Sequence, residues 1–294
     1  MLFAKTFAIK GMPRFNSFAC VDWSGAKGRR HPGIALAVCN TGNAAPSLID
    51  PPGKSWSRQD IADWLLSQTG DLLVGFDFSF APPKIERGEY LPGDVTPDNA
   101  RDFWAYVDAT CSDEDLGAAS FLEQHHRRHF YFGAADGKKA DYMHWRRCDA
   151  LSIMGDSGKT STVFDAIGAS QVAKASFAGM RLLNRVNRQL PVWPFDPLAS
   201  VGPVIVEIYT SIAARASGVR KGRSKIRDAT ALDLALTAFD TSPHTPLDRY
   251  TDHATDAIVT AAWLRHVARK PELWTPKQLT SEIAATEGWT FGVV

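Results

Sequence analysis

Three apolar stretches, far apart in the chain, each carry one acid. Residues 18–25 (FACVDWSG) carry Asp22, residues 72–80 (LLVGFDFSF) carry Asp77, and residues 204–209 (VIVEIY) carry Glu207. A fourth acidic group opens residues 252–267 (DHATDAIVTAAWLRHV), where Asp252 and Asp256 lie one helical turn apart and His253 shares a face with Asp256. A carboxylate at the end of a buried strand is costly unless something positive lies beside it. A metal or a basic partner is therefore expected near Asp22. Carboxylates brought close together repel and hold protons until a cation relieves them. All-oxygen ligand sets suit Mg²⁺ or Mn²⁺, and a pair of such ions activates water and stabilises the leaving oxygen in phosphodiester cleavage. The plain alternative is that each acid caps a loop or pairs with its own arginine.

The elements that must position these acids can be read from hydrophobic period and turn chemistry. Residues 18–22 read as a strand buried on both faces. Residues 33–39 (GIALAVC) form a second strand, and 47–49 a short third. The spacing of Ile61, Trp64 and Leu65 predicts a helix over 58–68, with Ser57 as N-cap. The strand carrying Asp77 follows and stops at Pro82-Pro83, so the opening order is β-β-β-α-β. Antiparallel strands come first, then a crossover to a parallel neighbour. From about 84 to 203 charged residues multiply and helices over 97–108 and 175–190 are expected, which reads as a large helical insertion. The strand carrying Glu207 comes next, then helices over 228–239 and 252–267. Residues 287–293 (EGWTFGV) close the chain as an edge strand or a packed loop. Residues 1–14 read as an N-terminal extension, and 15–294 as one domain.

Composition narrows the function classes. A chain of 294 residues with 45% hydrophobic and 22% charged residues can bury an ordinary globular core. A net charge of +1 argues neither for nor against nucleic acid, because only clustering would matter. Cys20, Cys39, Cys111 and Cys148 form no CxxC pair and no zinc spacing, which fits reduced thiols in a cytoplasmic protein. No apolar run is long enough to span a membrane, and the charges in residues 1–14 make a poor signal peptide. The sequence leaves the oligomeric state open.

Basic residues gather at Arg127 and Arg128, at Lys138 and Lys139, at Arg146 and Arg147, and at Arg220, Lys221, Arg223 and Lys225. Phe130, Tyr131, Phe132, Tyr142 and Trp145 interleave the first three groups, so phosphate contacts with base stacking would suit a nucleic acid strand. The competing reading is a solvated charged face, or arginines such as Arg147 and Arg215 that neutralise the acids from within. His125, His126 and His129 could ligate a metal, but two arginines inside the tract make it a poor cation site. Residues 155–160 (GDSGKT) look like a phosphate-binding loop, yet Ile153 stands where that motif needs glycine and no apolar strand precedes it. There is no GxSxG elbow, and no cysteine has an evident histidine partner, so covalent hydrolysis has little support.

The motifs VDWSG, GFDFSFAPP, VEIYTS, DHATDAIVTAAW and EGWTFGV, in that order, resemble the domain-of-unknown-function 429 family of predicted nucleases. A middle block, from Arg147-Cys148-Asp149 through Ser161-Thr162-Val163-Phe164 to residues 168–172, resembles it too. The resemblance covers most of the chain from residue 18 onward. It implies an α/β, RNase H-like fold: a mixed five-stranded sheet in order 3-2-1-4-5 with flanking helices. It further implies Asp22 as central metal ligand, joined by Asp77 on the fourth strand, Glu207 on the fifth and Asp256 in the last helix. His253 with Asp256 is similar to the closing motif of RuvC-type resolvases, and Asp252 or His253 could take the fourth ligand position. The activity implied is metal-dependent hydrolysis of DNA or RNA with Mg²⁺ or Mn²⁺, with Lys84 or Arg215 steadying the phosphate. The large insertion departs from minimal RNase H, so substrate choice does not transfer. Two alternatives stay open: an ATP-binding phosphotransferase of the actin and sugar-kinase type, using Ser24-Gly25 as its phosphate turn, and a catalytically silent binding module of the same fold.

Overall fold

A computed structural model describes residues 15–154, 161–167, 172–198, 200–218 and 225–294. The expected extension at 1–14, the GDSGKT stretch at 155–160, and Arg220, Lys221 and Arg223 lie outside the described residues.

The apolar runs become strands because both of their faces are covered. They are β1 (Ser17–Asp22), β2 (Ala35–Asn40), β3 (Ser47–Leu48), β4 (Leu72–Phe76), β5 (Val192–Trp193) and β6 (Val204–Glu207), and they form one mixed sheet in the order β3-β2-β1-β4-β6-β5. β1 pairs antiparallel with β2 and parallel with β4, and β4 pairs parallel with β6. The five anticipated strands stand in the anticipated order, with β6 in fifth place. The count is nonetheless corrected from five to six, because β5 adds a parallel edge strand beside β6. Its two residues sit between Pro191 and Pro194, and a run so short and so bounded carries no period to read.

Alternate strand residues feed two separate cores. Ala19, Val21, Val74, Phe76 and Ile205 face one, while Phe18, Cys20, Leu73, Val204 and Val206 face the other. The first is covered by α1 (Arg58–Leu66), α2 (Ala100–Thr110) and α4 (Val172–Val186), which contribute Leu65, Phe103, Trp104, Phe177 and Met180. The region expected as an insertion therefore supplies a layer of the core. Between α2 and α4 run short helical turns and α3 (Arg147–Met154). Ser57 caps α1 as expected, in a capping box with Asp60.

The second core is covered by α6 (Ala229–Thr237) and α7 (Asp252–Val267), after α5 (Thr210–Ala216), and then by α8 (Pro271–Trp274), α9 (Ser281–Thr286) and the C-terminal segment. Helix α7 is apolar nearly all round, and its alanines at 254, 257, 261 and 262 keep it thin. A Cβ at Gly75 would fall 2.8 Å from Ile208 and 2.9 Å from Leu264 of α7, so glycine is what lets this layer lie close on β4. The C-terminal segment is a packed loop that makes one parallel bridge, Glu207 with Thr290. Trp289 and Phe291 within it are fully buried. Among the described residues no helix is long and apolar enough to cross a membrane.

Candidate active site

Parallel strands put their C-terminal ends on one edge of a sheet, and that edge is where α/β folds bind ligands. Asp22 ends β1 and Glu207 ends β6, while Asp77 directly follows β4 with its backbone N–H donating to Val21 at 3.2 Å. The first turn of α7 reaches the same edge, with His253 Nδ1 at 3.0 Å from Asp22 Oδ1. A cleft of about 680 Å³ opens there. Its walls include Asp22, Asp77, Asp149, Glu207, Asp252 and Asp256, opposed by His253 and the two permanent cations Arg146 and Lys225. All six acidic or histidine positions expected to hold metal thus face one cavity.

They do not behave alike. Burial first, and then the charge of Asp22, pushes Asp77 up to about 7, against a hydrogen bond from Thr210 Oγ1 at 2.9 Å. Asp256 is pushed up to about 6, again by burial and then by Asp22. Among the described residues nothing donates a hydrogen bond to Asp256. Asp22 is also raised, since burial outweighs the hydrogen bond and charge of His253. His253 is raised in turn, chiefly by its hydrogen bond to Asp22. Among the described residues no arginine or lysine forms an ion pair with these three carboxylates, though Lys225 acts on Asp22 and Asp256 from a distance, and the repulsion left is what a bound cation relieves. The ligand atoms of the three do not all lie within 4.8 Å of one another. Among the described residues, the group of three whose ligand atoms all lie within 4.8 Å of one another is Asp94, His126 and His129, elsewhere in the chain.

Glu207 is different. Arg146 donates to it from Nη1 at 2.7 Å and from Nη2 at 2.5 Å, Phe80 N–H at 2.7 Å, and Thr290 Oγ1 at 2.6 Å. Four donors occupy both oxygens, so this carboxylate is spent on holding the cleft floor and has little left for a metal. The same guanidinium donates to Asp149 from Nε at 2.9 Å and from Nη2 at 3.0 Å. Asp252 is likewise engaged, by Lys225 at 2.6 Å and by Arg227. Glu287 closes the arrangement from the C-terminal segment, accepting from the backbone N–H groups of Lys84 at 2.7 Å, Ile85 at 2.9 Å and Arg147 at 3.0 Å. That explains why EGWTFGV accompanies the acids: it clamps the chain that leaves β4.

The loop after β1 is set from beneath. Arg58, fully buried, donates to the carbonyls of Ser24 at 2.8 Å and Ala26 at 2.6 Å. A Cβ on Gly25 would stand 2.3 Å from the backbone nitrogen of Ala175, so only glycine lets this loop rest on α4.

The expected basic face is corrected in part. Arg146 is buried, 1% exposed, and is the arginine that neutralises acids from within, a role the sequence suggested for Arg147. Arg147 instead reaches Gln278 at 2.8 Å. Arg127 pairs with Asp136 and Lys139 with Asp165, while Arg128 pairs with Asp94. Lys138 is exposed, and Lys225 is the surface lysine that lines the cleft. Lys84 pairs with Asp98 at 3.5 Å and is not a wall of the cleft. The sequence reading missed the Arg146–Asp149 pair, Arg58 and Glu287. The three-residue spacing of Arg146 and Asp149 at a helix start was the one available signal.

No family model matches the chain, and no curated protein or solved structure matches it.

Proposed function

We propose that the protein is a metal-dependent phosphodiesterase acting on nucleic acid, of RNase H-like type. Asp22, Asp77 and Asp256 would be the ligand set for Mg²⁺ or Mn²⁺. One observation carries this reading: three carboxylates from β1, the exit of β4 and α7 face a single cleft, the charge of Asp22 adds to burial in raising Asp77 and Asp256, and among the described residues no basic side chain forms an ion pair with either of those two. The donor set is all oxygen, which suits a hard cation rather than a thiophilic one. The strand order β3-β2-β1-β4-β6 supports the RNase H-like assignment. Bound there, the cation supplies Lewis acidity and removes the repulsion between the acidic walls and an incoming phosphate.

The rest of the work falls to the chain itself. His253 orients Asp22 through Nδ1, and its Nε2 lies 3.3 Å from the position a Cβ on Gly33 would take, at the rim of the cleft. From there it can accept or release a proton. Thr210 fixes the rotamer of Asp77. Arg146 ties Glu207 and Asp149 together, so that the floor holds its shape. Among the described residues Lys225, held near Asp252, is the lysine that lines the cleft and would meet a phosphate there.

The test is direct. Purified protein with Mn²⁺ is offered single- and double-stranded DNA and RNA, with ATP as a small-phosphate control. Cleavage that disappears in Asp22→Asn, together with lost Mn²⁺ binding and an unchanged melting temperature, is the expected result. Absence of both metal binding and cleavage in the wild type refutes the proposal, and turnover of ATP alone redirects it to phosphotransfer.

A further inference from the structure

A second cluster lies away from the acidic cleft. Asp94 Oδ2 stands 2.8 Å from His126 Nδ1 and 2.9 Å from His129 Nε2, so two imidazoles converge on one carboxylate oxygen. Their side chains are only 7% and 8% exposed, while Asp94 is 24% exposed and faces solvent. The far nitrogen of His126 is already tied, with Nε2 at 2.9 Å from the hydroxyl of Tyr106 on α2. Its ring packs 4.4 Å from that of Phe121, which fixes the plane. The second oxygen of Asp94 accepts from Arg128. Arg127, the other arginine of the tract, turns away to Asp136. The objection that two arginines exclude a cation therefore reduces to Arg128, which is largely exposed and sits on the outer oxygen.

His129 Nε2 is caught between demands. Arg128 Nε approaches it at 3.2 Å as a donor, and Asp94 Oδ2 faces it at 2.9 Å as an acceptor. If Nε2 carries a proton it opposes the arginine. If it does not, two lone pairs face each other. A dication between Nε2, Oδ2 and Nδ1 of His126 satisfies all three lone pairs at once.

We propose that Asp94, His126 and His129 form a transition-metal site, separate from the acidic cleft, that takes a borderline cation of the Zn²⁺ class. Two imidazoles and one carboxylate are a ligand set of zinc sites, and a tied far nitrogen is the outer-shell support such sites use. The carboxylate at the surface leaves the fourth position to solvent. The ion joins the turn bearing Asp94 to the turn bearing His126 and His129, in the layer that covers β4.

The test uses the full chain with Zn²⁺, and with Co²⁺ as a spectroscopic probe, in excess Mg²⁺ to occupy the cleft. One equivalent of Zn²⁺ should bind, and Co²⁺ should show the intense visible bands of a low-coordinate nitrogen-containing site. Binding should vanish in His129→Gln and in Asp94→Asn, survive in Asp22→Asn, and weaken by about tenfold in Tyr106→Phe. If His129→Gln fails to fold, Asp94→Asn carries the same reading. Wild-type protein that takes up no Zn²⁺, or Zn²⁺ binding that persists in the Asp94 and His129 variants, overturns the assignment. Because Asp22→Asn is read separately, loss of this site and loss of the cleft reading are distinguishable.

Discussion

Replacing Asp77 by asparagine should make the metal-free protein more stable and the metal-loaded protein less so. The carboxyl is raised from 3.8 to about 7, so its ionised form in the folded state is penalised by about 4 kcal/mol. The unfolded chain loses this proton near the ordinary value, whereas the folded protein keeps it until about 7. Stability therefore declines as pH rises across that window and is flat above it. Water in the open cleft screens part of the repulsion, which leaves about 2 kcal/mol to be regained at about pH 8 by an uncharged side chain of the same shape. For a chain of this size that is a rise of about 4 °C in melting temperature. The gain should shrink toward zero as pH falls to about 4, where both states carry the proton. Mn²⁺ at 100 times its Kd adds about 2.7 kcal/mol to whatever binds it, so wild type should overtake the variant once the ion is present. Differential scanning calorimetry at two pH values, with and without Mn²⁺, reads all of this. A variant that melts below wild type at about pH 8 without metal, or one that responds to Mn²⁺ as strongly as wild type, refutes the reasoning.

Two further outcomes separate floor from ligand. Arg146→Met should cost about 3–5 kcal/mol, because the buried Glu207 and Asp149 both lose the guanidinium they share; a chemical denaturation midpoint close to wild type would show that the network is not structural. Glu207→Gln should lower the melting temperature while leaving Mn²⁺ affinity within about threefold of wild type, since the side chain serves Arg146; titration calorimetry showing lost Mn²⁺ binding would return Glu207 to the ligand set.

Much of the framework was readable before any coordinates. The runs ending in Asp22, Asp77 and Glu207 were legible as buried strands because an apolar run without alternation has few other places to go. The parallel pairing of β4 with the opening strands followed from the one helix between β1–β3 and β4, since a crossover connection dictates it. That the three acids share an edge was not legible, since spacing along the chain does not fix which strands are neighbours; the sheet order decides it. Helix α7 was legible from the one-turn spacing of Asp252 and Asp256 at the head of a long apolar segment, whereas its N-cap, Thr251, came only with the structure.

Partners were another matter. An apolar run announces burial of an acid but says nothing of what neutralises it. The partner of Glu207 lies 61 residues away at Arg146, and neighbouring Arg147 has the same type and nearly the same position. Which of the two turns inward depends on how α3 docks. Asp94 meets His126 and His129 for the same reason: separations of 32 and 35 residues leave no mark in the local pattern. The sequence by itself determined which residues are apolar enough to form the sheet and which acids travel with it. Only the tertiary structure decided which of those acids are paired and which are left facing water, because charge compensation is set by distances through space, and neither period nor composition encodes those distances.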